Sequence, residues 1–260
     1  TSGNDTIVTD SANSASAYMT GHKTCVNAMG VYCAKNALSL DHPKVETIGE
    51  VIKRRTKMSV GVVTNTEIED ATPASVVAHT RRRSDFNDIV KMLFDVKPDV
   101  IMGGGSPNFL PKTTPGSKRS DDLDFIAKFR EAGYTIATTK TEMNAAADAG
   151  VTRLLGLYNT GNVDGAFDLR IAKKGSTAKF PDQPDVVEET KAALKMLSKN
   201  PEGFFLMVES GRIDKYSHSL DWERAVFDTI MLDNAVKVAK DFAGDRNDTL
   251  IIIVPDHTHS

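Results

Sequence analysis

Residues 6–17 read TIVTDSANSASA, and they predict a strand, a sharp turn and the start of a helix. The β-branched run 6–9 favours a strand, and the small residues after Ser11 favour a helix. This order places the Ser11 hydroxyl at a helix N-terminus, where the helix dipole attracts anions. Asp10 is then either a helix cap, the more frequent case for an isolated Asp-Ser pair, or a carboxylate that works with a metal ion to activate the serine.

Helix and strand patterns alternate along the rest of the chain, which predicts an α/β fold with a largely parallel sheet. Strands are expected at 58–64, 99–102, 134–137, 153–158, 203–208 and 249–254, and helices at 46–56, 72–82, 88–96, 121–132, 185–199 and 221–242. Residues 160–184 are rich in glycine and proline and predict an extended surface excursion. The glycines at 103–105 lack the Lys-Ser/Thr of a phosphate-binding loop and predict a tight turn.

Composition and charge exclude several classes of protein. The chain has 260 residues, 40% of them hydrophobic and 26% charged, which is ordinary for a globular protein. A formal net charge of −3 argues against a nucleic-acid surface. No apolar run reaches the roughly 18 residues that cross a bilayer, so no membrane segment is expected. Cys25 and Cys33 fit no zinc pattern; a single disulfide remains open, and free thiols are favoured.

Polar residues follow three of the predicted strands, at the ends where open α/β sheets place their sites. They are Asp70 and Thr72 after 58–64, Glu209, Asp214, Lys215 and His218 after 203–208, and Asp256, His257 and His259 after 249–254. Together with Asp10 and Ser11, they make four segments that carry carboxylates, imidazoles and hydroxyls. The sequence therefore predicts one site formed by distant parts of the chain.

Two of these pairs have the chemistry of zinc ligands. Asp214 and His218 are four residues apart and share one face of a helical turn, although an exposed ion pair explains them equally well. Asp256 and His257 directly follow an apolar strand. They favour a metal more strongly, because a buried charge must be paired or bound to an ion.

The remaining candidates suggest magnesium and phosphate. Asp70, Thr72 and Glu209 offer only oxygen atoms, which suit magnesium better than zinc. Arg83 ends the run of three arginines at 81–83. It is either a solvated arginine or a guanidinium that binds two phosphate oxygens at once.

Four segments together resemble the alkaline phosphatases, in matching order along essentially the whole chain: VTDSANSASA, EDATPASVVAHTRRR, GFFLMVESGRIDKYSH and VPDHTH. Any one of them alone is a weak signal. The resemblance implies an alkaline-phosphatase-like three-layer fold, with a central, largely parallel sheet flanked by helices on both faces. Asp70 and Lys215 indicate the bacterial type, since animal members of the family usually have histidine at both positions.

The resemblance also implies a role for each phosphate-binding residue. Ser11 is expected to be the nucleophile that takes the phosphoryl group, with Asp10 positioning Arg83. Arg83 is expected to hold the non-bridging phosphate oxygens, and Lys215 to approach the phosphate through water.

The implied cofactors are two zinc ions and one magnesium ion. Asp214 and His218 are expected to bind the zinc that activates water and stabilises the leaving oxygen. Asp256 and His257 are expected to bind the zinc that lowers the pKa of the serine hydroxyl. For magnesium the expected ligands are Thr72 and Glu209, with Asp70 reaching the ion directly or through water. His259 is expected to support the zinc ligands without binding zinc itself.

The implied function is metal-dependent hydrolysis of phosphate monoesters, through transfer to Ser11 and hydrolysis of the phosphoserine, with inorganic phosphate as product. The resemblance further implies a periplasmic or secreted protein and a homodimer. Two alternatives remain: a phosphodiesterase or sulfatase of the same metal-dependent superfamily, and a non-catalytic phosphate-binding module. The magnesium residues and Arg83 favour the monoesterase over the first of these.

The resemblance leaves two family ligands unmatched. The first metal aspartate of the family would precede Thr1, and a further zinc histidine would follow Ser260. Residues 1–260 are therefore expected to be a single partial catalytic domain, truncated at both ends. Alone, this piece is expected to bind zinc weakly and to have little activity.

Overall fold

The computed structural model describes residues 8–259 and centres on a five-stranded sheet. The strands are β1 (Ser59–Glu67), β2 (Val100–Gly104), β3 (Thr135–Ala137), β4 (Leu154–Leu157) and β5 (Phe204–Glu209). They lie in the order β3-β4-β2-β1-β5, and every neighbouring pair is parallel. The predicted parallel sheet is confirmed. Of the strand predicted at 6–9, residues 6 and 7 lie outside the described part, and Val8 and Thr9 are not in a strand.

Helices connect and cover these strands. They are α1 (Ser11–Thr20), α2 (Ile48–Arg55), α3 (Ala71–Ala74), α4 (Phe86–Val96), α5 (Phe125–Glu131), α6 (Lys140–Ala149), α7 (Val186–Leu197), α8 (Arg212–His218) and α9 (Trp222–Ala243). A 3₁₀ turn lies at Ser106–Phe109 and a π-helical turn at Asp168–Ala172. The sequence did not predict α6, and α5 starts later than expected, at the Asp124 cap.

The sheet separates two hydrophobic cores, because successive side chains of a strand point to opposite faces. Val60 and Val62 of β1 join the core formed with α2, α4 and α5. Val63 joins the other core, which is formed with α6, α7 and α9. Strands buried on both faces must be apolar throughout, as β1 and β2 largely are. The predicted three-layer arrangement, with helices on both faces, is confirmed.

The turn predicted at glycines 103–105 is confirmed only at its last residue. Gly103 and Gly104 still belong to β2, and Gly105 has a φ of 87°, a backbone conformation that side chains other than glycine rarely adopt. A Cβ on Gly104 would overlap the carbonyl oxygen of Gly161. The absence of a side chain at Gly104 therefore lets the end of β2 pack directly against the backbone at Gly161.

The strand predicted at 249–254 is wrong. Within the described residues, this segment forms no ladder with any strand. Leu250 is 83% exposed and Ile252 is 71% exposed. A β-branched run favours a strand only where another strand supplies the inter-strand hydrogen bonds, and no described strand lies beside this one.

The helix predicted at 72–82 is wrong for most of its length. Only α3 forms, capped by Asp70 instead of by Thr72. Val76, Val77 and Ala78 are all fully buried, so the segment has no exposed face of the kind an amphipathic helix presents. Thr80 pairs with Met29 across an isolated antiparallel bridge. The arginines at 81–83 therefore follow this bridge and not a helix.

Two further expectations are corrected. Cys25 and Cys33 form a disulfide, with Cα atoms 6.0 Å apart, so the preference for free thiols is wrong. The excursion 160–184 is only partly on the surface, because Val163 and Ala166 are buried in the core that contains α7 and α9.

Among the described residues, no helix combines the length and the apolar character that crossing a membrane requires.

Glu189 of α7 predicts a pH-dependent stability. The residue is fully buried, and neither carboxyl oxygen has a hydrogen-bond partner among the described residues. Burial, followed by repulsion from Asp185 and Glu188, raises the pKa of Glu189 well above its ordinary 4.5. A raised folded-state pKa favours folding below the unfolded value, and that contribution is lost as the pH rises toward the folded value.

We therefore expect Glu189→Leu to stabilise the protein above pH 5, by roughly 1–3 kcal/mol, the ordinary cost of a buried polar group without a hydrogen-bond partner. Urea unfolding at pH 5, 6.5 and 8 would measure the gain, which should grow with pH. The exposed Glu131 of α5 provides the control: Glu131→Leu should change stability little and without this trend. Parallel pH profiles for the wild type and Glu189→Leu would contradict the assignment.

Candidate active site

The predicted segments converge at the carboxyl ends of the strands. Asp10 caps α1, with its Oδ1 accepting hydrogen bonds from the backbone N–H of Asn13 and of Asn27. Ser11 is the first residue of α1 and is 8% exposed. Asp10 is therefore the helix cap that the sequence suggested. Its Oδ2 takes no part in the cap and can bind another partner.

That partner is Arg83, which joins two of the segments. Its Nη1 donates to Asp10 Oδ2 at 3.2 Å, and its Nη2 donates to Asp70 Oδ1 at 2.7 Å. The other oxygen of Asp70 accepts a hydrogen bond from Lys215 Nζ at 2.7 Å. Two cations and two carboxylates therefore alternate beside Ser11.

These ion pairs fix the charge states around the site. Burial raises the pKa of Asp70, but the charges of Lys215 and Arg83 outweigh it, and the net shift is downward. Burial lowers the pKa of Lys215, and Asp70 raises it more strongly. Asp70 therefore stays ionised and Lys215 stays protonated near neutral pH.

A second cluster surrounds Asp214 on α8. Its Oδ1 lies 2.6 Å from His259 Nε2 and 3.4 Å from His218 Nε2. Ligand atoms of Asp214, His218 and His259 all lie within 4.8 Å of one another, a spacing that suits one metal ion. His259, expected to support the ligands, thus lies as close to a shared centre as the two predicted ligands do.

His257 connects this cluster to the serine. Its Nε2 lies 3.1 Å from Ser11 Oγ, 3.4 Å from Asp256 Oδ2 and 3.7 Å from Asp214 Oδ1. The Tyr18 hydroxyl of α1 donates to the Pro255 carbonyl at 2.8 Å and holds the two segments together. The segment after 249–254 therefore reaches the site although its predicted strand does not form.

Glu209 ends β5 in an all-oxygen environment. Its Oε2 accepts hydrogen bonds from Thr64 Oγ1 at 2.5 Å and Thr66 Oγ1 at 3.0 Å, and Thr72 also donates to this carboxylate. Burial, followed by repulsion from Asp70, raises the pKa of Glu209. No lysine or arginine of the described chain forms an ion pair with it. A desolvated carboxylate without a cation, next to a hydroxyl and a second carboxylate, fits a bound divalent ion.

Sequence reasoning missed the residues that hold α8 in place. Asn65 Oδ1 accepts the backbone N–H of Arg212, the first residue of α8, at 3.2 Å, and Asn65 Nδ2 donates to Asp228 Oδ1 at 3.2 Å. Burial raises the pKa of Asp228 to about 6. A signal was available, because Asp228 shares the apolar face of α9 with Met231 and Ala235 at helical spacing.

The fold and the site define a class: α/β proteins whose site lies at the carboxyl ends of the strands and offers ligands for metal ions and anions. The sequence model of the family described as alkaline phosphatase matches residues 1–260. The chain belongs to the alkaline phosphatase family.

Individual relatives agree with this membership. Alkaline phosphatase of Escherichia coli (strain K12) is 32% identical over 99% of this chain and 59% of its own length. Alkaline phosphatase 4 of Bacillus subtilis (strain 168) is 34% identical over 98% of this chain and 50% of its own length. The chain thus spans about half the length of the curated relatives it matches.

Solved structures agree as well. The crystal structure of Thermus thermophilus alkaline phosphatase superposes with a TM-score of 0.79 and 28% identity, over 92% of this chain and 46% of that one. A mutant alkaline phosphatase of the Antarctic bacterium TAB5, described with Mg bound in the M3 site, superposes with a TM-score of 0.75 and 28% identity, over 94% of this chain and 62% of that one.

Proposed function

We propose that this chain forms the catalytic part of a phosphate monoester hydrolase in which Ser11 is the nucleophile. The observation that carries the proposal is the position of the Ser11 hydroxyl. It lies at the N-terminus of α1, 3.1 Å from His257 Nε2, and the adjacent Asp10 is paired with Arg83. A helix N-terminus and a nearby guanidinium both favour the phosphate group that the serine would attack.

In the proposed reaction, Ser11 Oγ bonds to phosphorus as the bond from phosphorus to the ester oxygen breaks. The serine gives up its proton, and the departing alcohol takes one up. Water then attacks the phosphoserine, restores the hydroxyl and releases inorganic phosphate. Arg83 holds equatorial oxygens throughout, and the charge of Lys215 favours the dianion.

The donor sets fit two zinc ions and one magnesium ion. Asp214 with His218, and Asp256 with His257, offer the oxygen and nitrogen donors that zinc takes. Asp70, Thr72 and Glu209 offer the oxygen donors that magnesium takes. When bound, these ions supply Lewis-acid stabilisation and lower the pKa of the serine hydroxyl. The magnesium described in the TAB5 structure supports this part of the proposal.

A comparison of ester classes tests the function. We expect the whole protein to hydrolyse 4-nitrophenyl phosphate with a kcat/KM roughly 10²-fold above that for bis(4-nitrophenyl) phosphate or 4-nitrophenyl sulfate. A monoester dianion presents three free oxygens to Arg83 and the metal ions, whereas a diester presents two and carries less charge. Treatment with a chelator should abolish the activity, and zinc with magnesium should restore it.

The outcomes separate the alternatives. A preference for the diester or the sulfate would favour another member of the superfamily. Metal-dependent binding of inorganic phosphate without turnover would favour a non-catalytic binding module.

We also propose that the protein is periplasmic or secreted and forms a homodimer. The disulfide between Cys25 and Cys33 supports the first part, because such bonds persist in oxidising compartments. The homodimer rests on family membership. Sedimentation velocity of the purified protein would measure it.

A further inference from the structure

A cavity of about 550 Å³ opens next to Arg83. It lies between the segments around 27, 36–39 and 81–84. Its lining consists of Asn27, Asn36, Ala37, Ser39, Arg81, Arg82, Arg83 and Ser84. Three arginines and several polar residues therefore line it, and no acidic residue does.

The charge of this cavity is not balanced by the surrounding protein. Arg83 is neutralised by Asp10 and Asp70. Among the described residues, neither Arg81 nor Arg82 forms an ion pair. Unpaired guanidinium groups around a concave surface attract anions, and phosphate is the group they match best.

One lining residue of the cavity, Asn27, also contacts the candidate active site. The Asn27 N–H donates to Asp10 Oδ1 at 3.0 Å, and the Asn27 carbonyl accepts the Arg83 N–H at 2.8 Å. The same loop thus contacts the cap residue of Ser11 and the arginine proposed to bind phosphate. A ligand held at Ser11 by Arg83 would extend into this cavity if its alcohol portion pointed that way.

Of the three arginines in the lining, Arg82 has the side chain that is most available to a ligand. Its backbone is anchored, with the N–H donating to Thr80 Oγ1 at 3.0 Å, and Thr80 Oγ1 in turn donating to Asp85. The Arg82 side chain is exposed and has no hydrogen bond within the described structure. Arg81, by contrast, is held by the Val26 carbonyl through its Nη1 at 2.8 Å. Arg82 therefore has all its donors available to a ligand.

We propose that this cavity binds a second phosphate group, so that the enzyme prefers phosphate monoesters whose alcohol carries another phosphate. The proposal rests on the proposed function, since it adds a subsite to the same centre. The preference among these substrates should depend on the charge of the second phosphate and on its distance from the first, because the second phosphate contacts Arg82.

Matched pairs of substrates test it on the whole protein. Propyl phosphate is compared with propane-1,3-diol bisphosphate, and the longer alkyl homologues vary the spacing. We expect the bisphosphate to have a kcat/KM about 10-fold higher at low salt, with the advantage shrinking as ionic strength rises. Arg82→Ala should remove the advantage without changing the rate on propyl phosphate, and Arg82→Lys should keep part of it. The exposed Arg130 of α5 is the control, and Arg130→Ala should keep all of it.

A binding measurement separates failure of the subsite from failure of the function. By calorimetry, we expect pentane-1,5-diphosphonate, which matches the phosphorus spacing of the bisphosphate, to bind about 10-fold more tightly than pentylphosphonate, and Arg82→Ala to abolish the difference. This readout does not need turnover, so it holds even if no ester is hydrolysed. Equal rates and equal binding for the one- and two-phosphate probes in the wild type would overturn the subsite. An equal loss for both kinds of probe in Arg82→Ala would overturn it as well.

Discussion

Replacing Ser11 with alanine is expected to lower kcat for phosphate monoesters roughly 10³-fold or more in the whole protein. The substitution removes the oxygen that would receive the phosphoryl group. The helix start should survive, because the capping hydrogen bonds come from Asp10 and Asn13. Steady-state hydrolysis of 4-nitrophenyl phosphate measures the loss.

The nucleophile can also be observed directly. Acid quenching with a substrate labelled in its phosphate should trap the label on a peptide that contains Ser11, and Ser11→Ala should trap none. Ser14 is the matched control, since it lies one turn along the same helix. Among the described residues, its hydroxyl makes only one hydrogen bond, a long one of 3.5 Å to the Ser11 carbonyl. Ser14→Ala should keep most of the activity and the label. Undiminished turnover by Ser11→Ala would rule out serine chemistry.

Replacing Arg83 with alanine is expected to lower kcat/KM for phosphate monoesters roughly 10²-fold. Two effects add: the phosphate loses its guanidinium partner, and Asp10 and Asp70 face the incoming dianion with one cation fewer. Inhibition by inorganic phosphate should weaken in parallel, because the same guanidinium binds the product. Arg83→Lys should recover only part of the loss, since an ammonium group cannot reproduce the two-pronged contact.

The neighbouring arginine provides the comparison. Arg82→Ala, assayed on propyl phosphate, should have near wild-type activity, because its side chain contacts neither carboxylate. If Arg83→Ala stayed within about twofold of the wild type, Arg83 would be a structural bridge between Asp10 and Asp70 and not a phosphate ligand.

The sequence predicts those parts of the fold whose helices and strands show a clear hydrophobic pattern within their own segment. Apolar runs alternating with helical periodicity indicated the parallel sheet, and β1, β2 and β5 lie where expected to within a few residues. The end of β1 was set too early. Asn65 and Thr66 look like loop residues in sequence, but they belong to β1, and their side chains donate hydrogen bonds to Asp228 and Glu209. Those partners lie far away in sequence.

The residues of the candidate site could also be predicted from sequence only in part. The sequence named Ser11, Arg83, Asp214 and His218 through segments whose order resembles one family. It did not indicate that His259 lies 2.6 Å from Asp214, or that the arginine run ends in a cavity. Side-chain distances between segments depend on how the strand ends are brought together.

The sequence by itself determined the fold class and the chemical types present at the strand ends, because periodicity reports which faces are buried and residue type reports which atoms are offered. The tertiary structure alone decided three things: that residues 249–254 pair with no strand of residues 8–259, that Cys25 and Cys33 are joined, and that Arg83 bridges Asp10 and Asp70. Each depends on a contact between residues whose pairing no local pattern encodes.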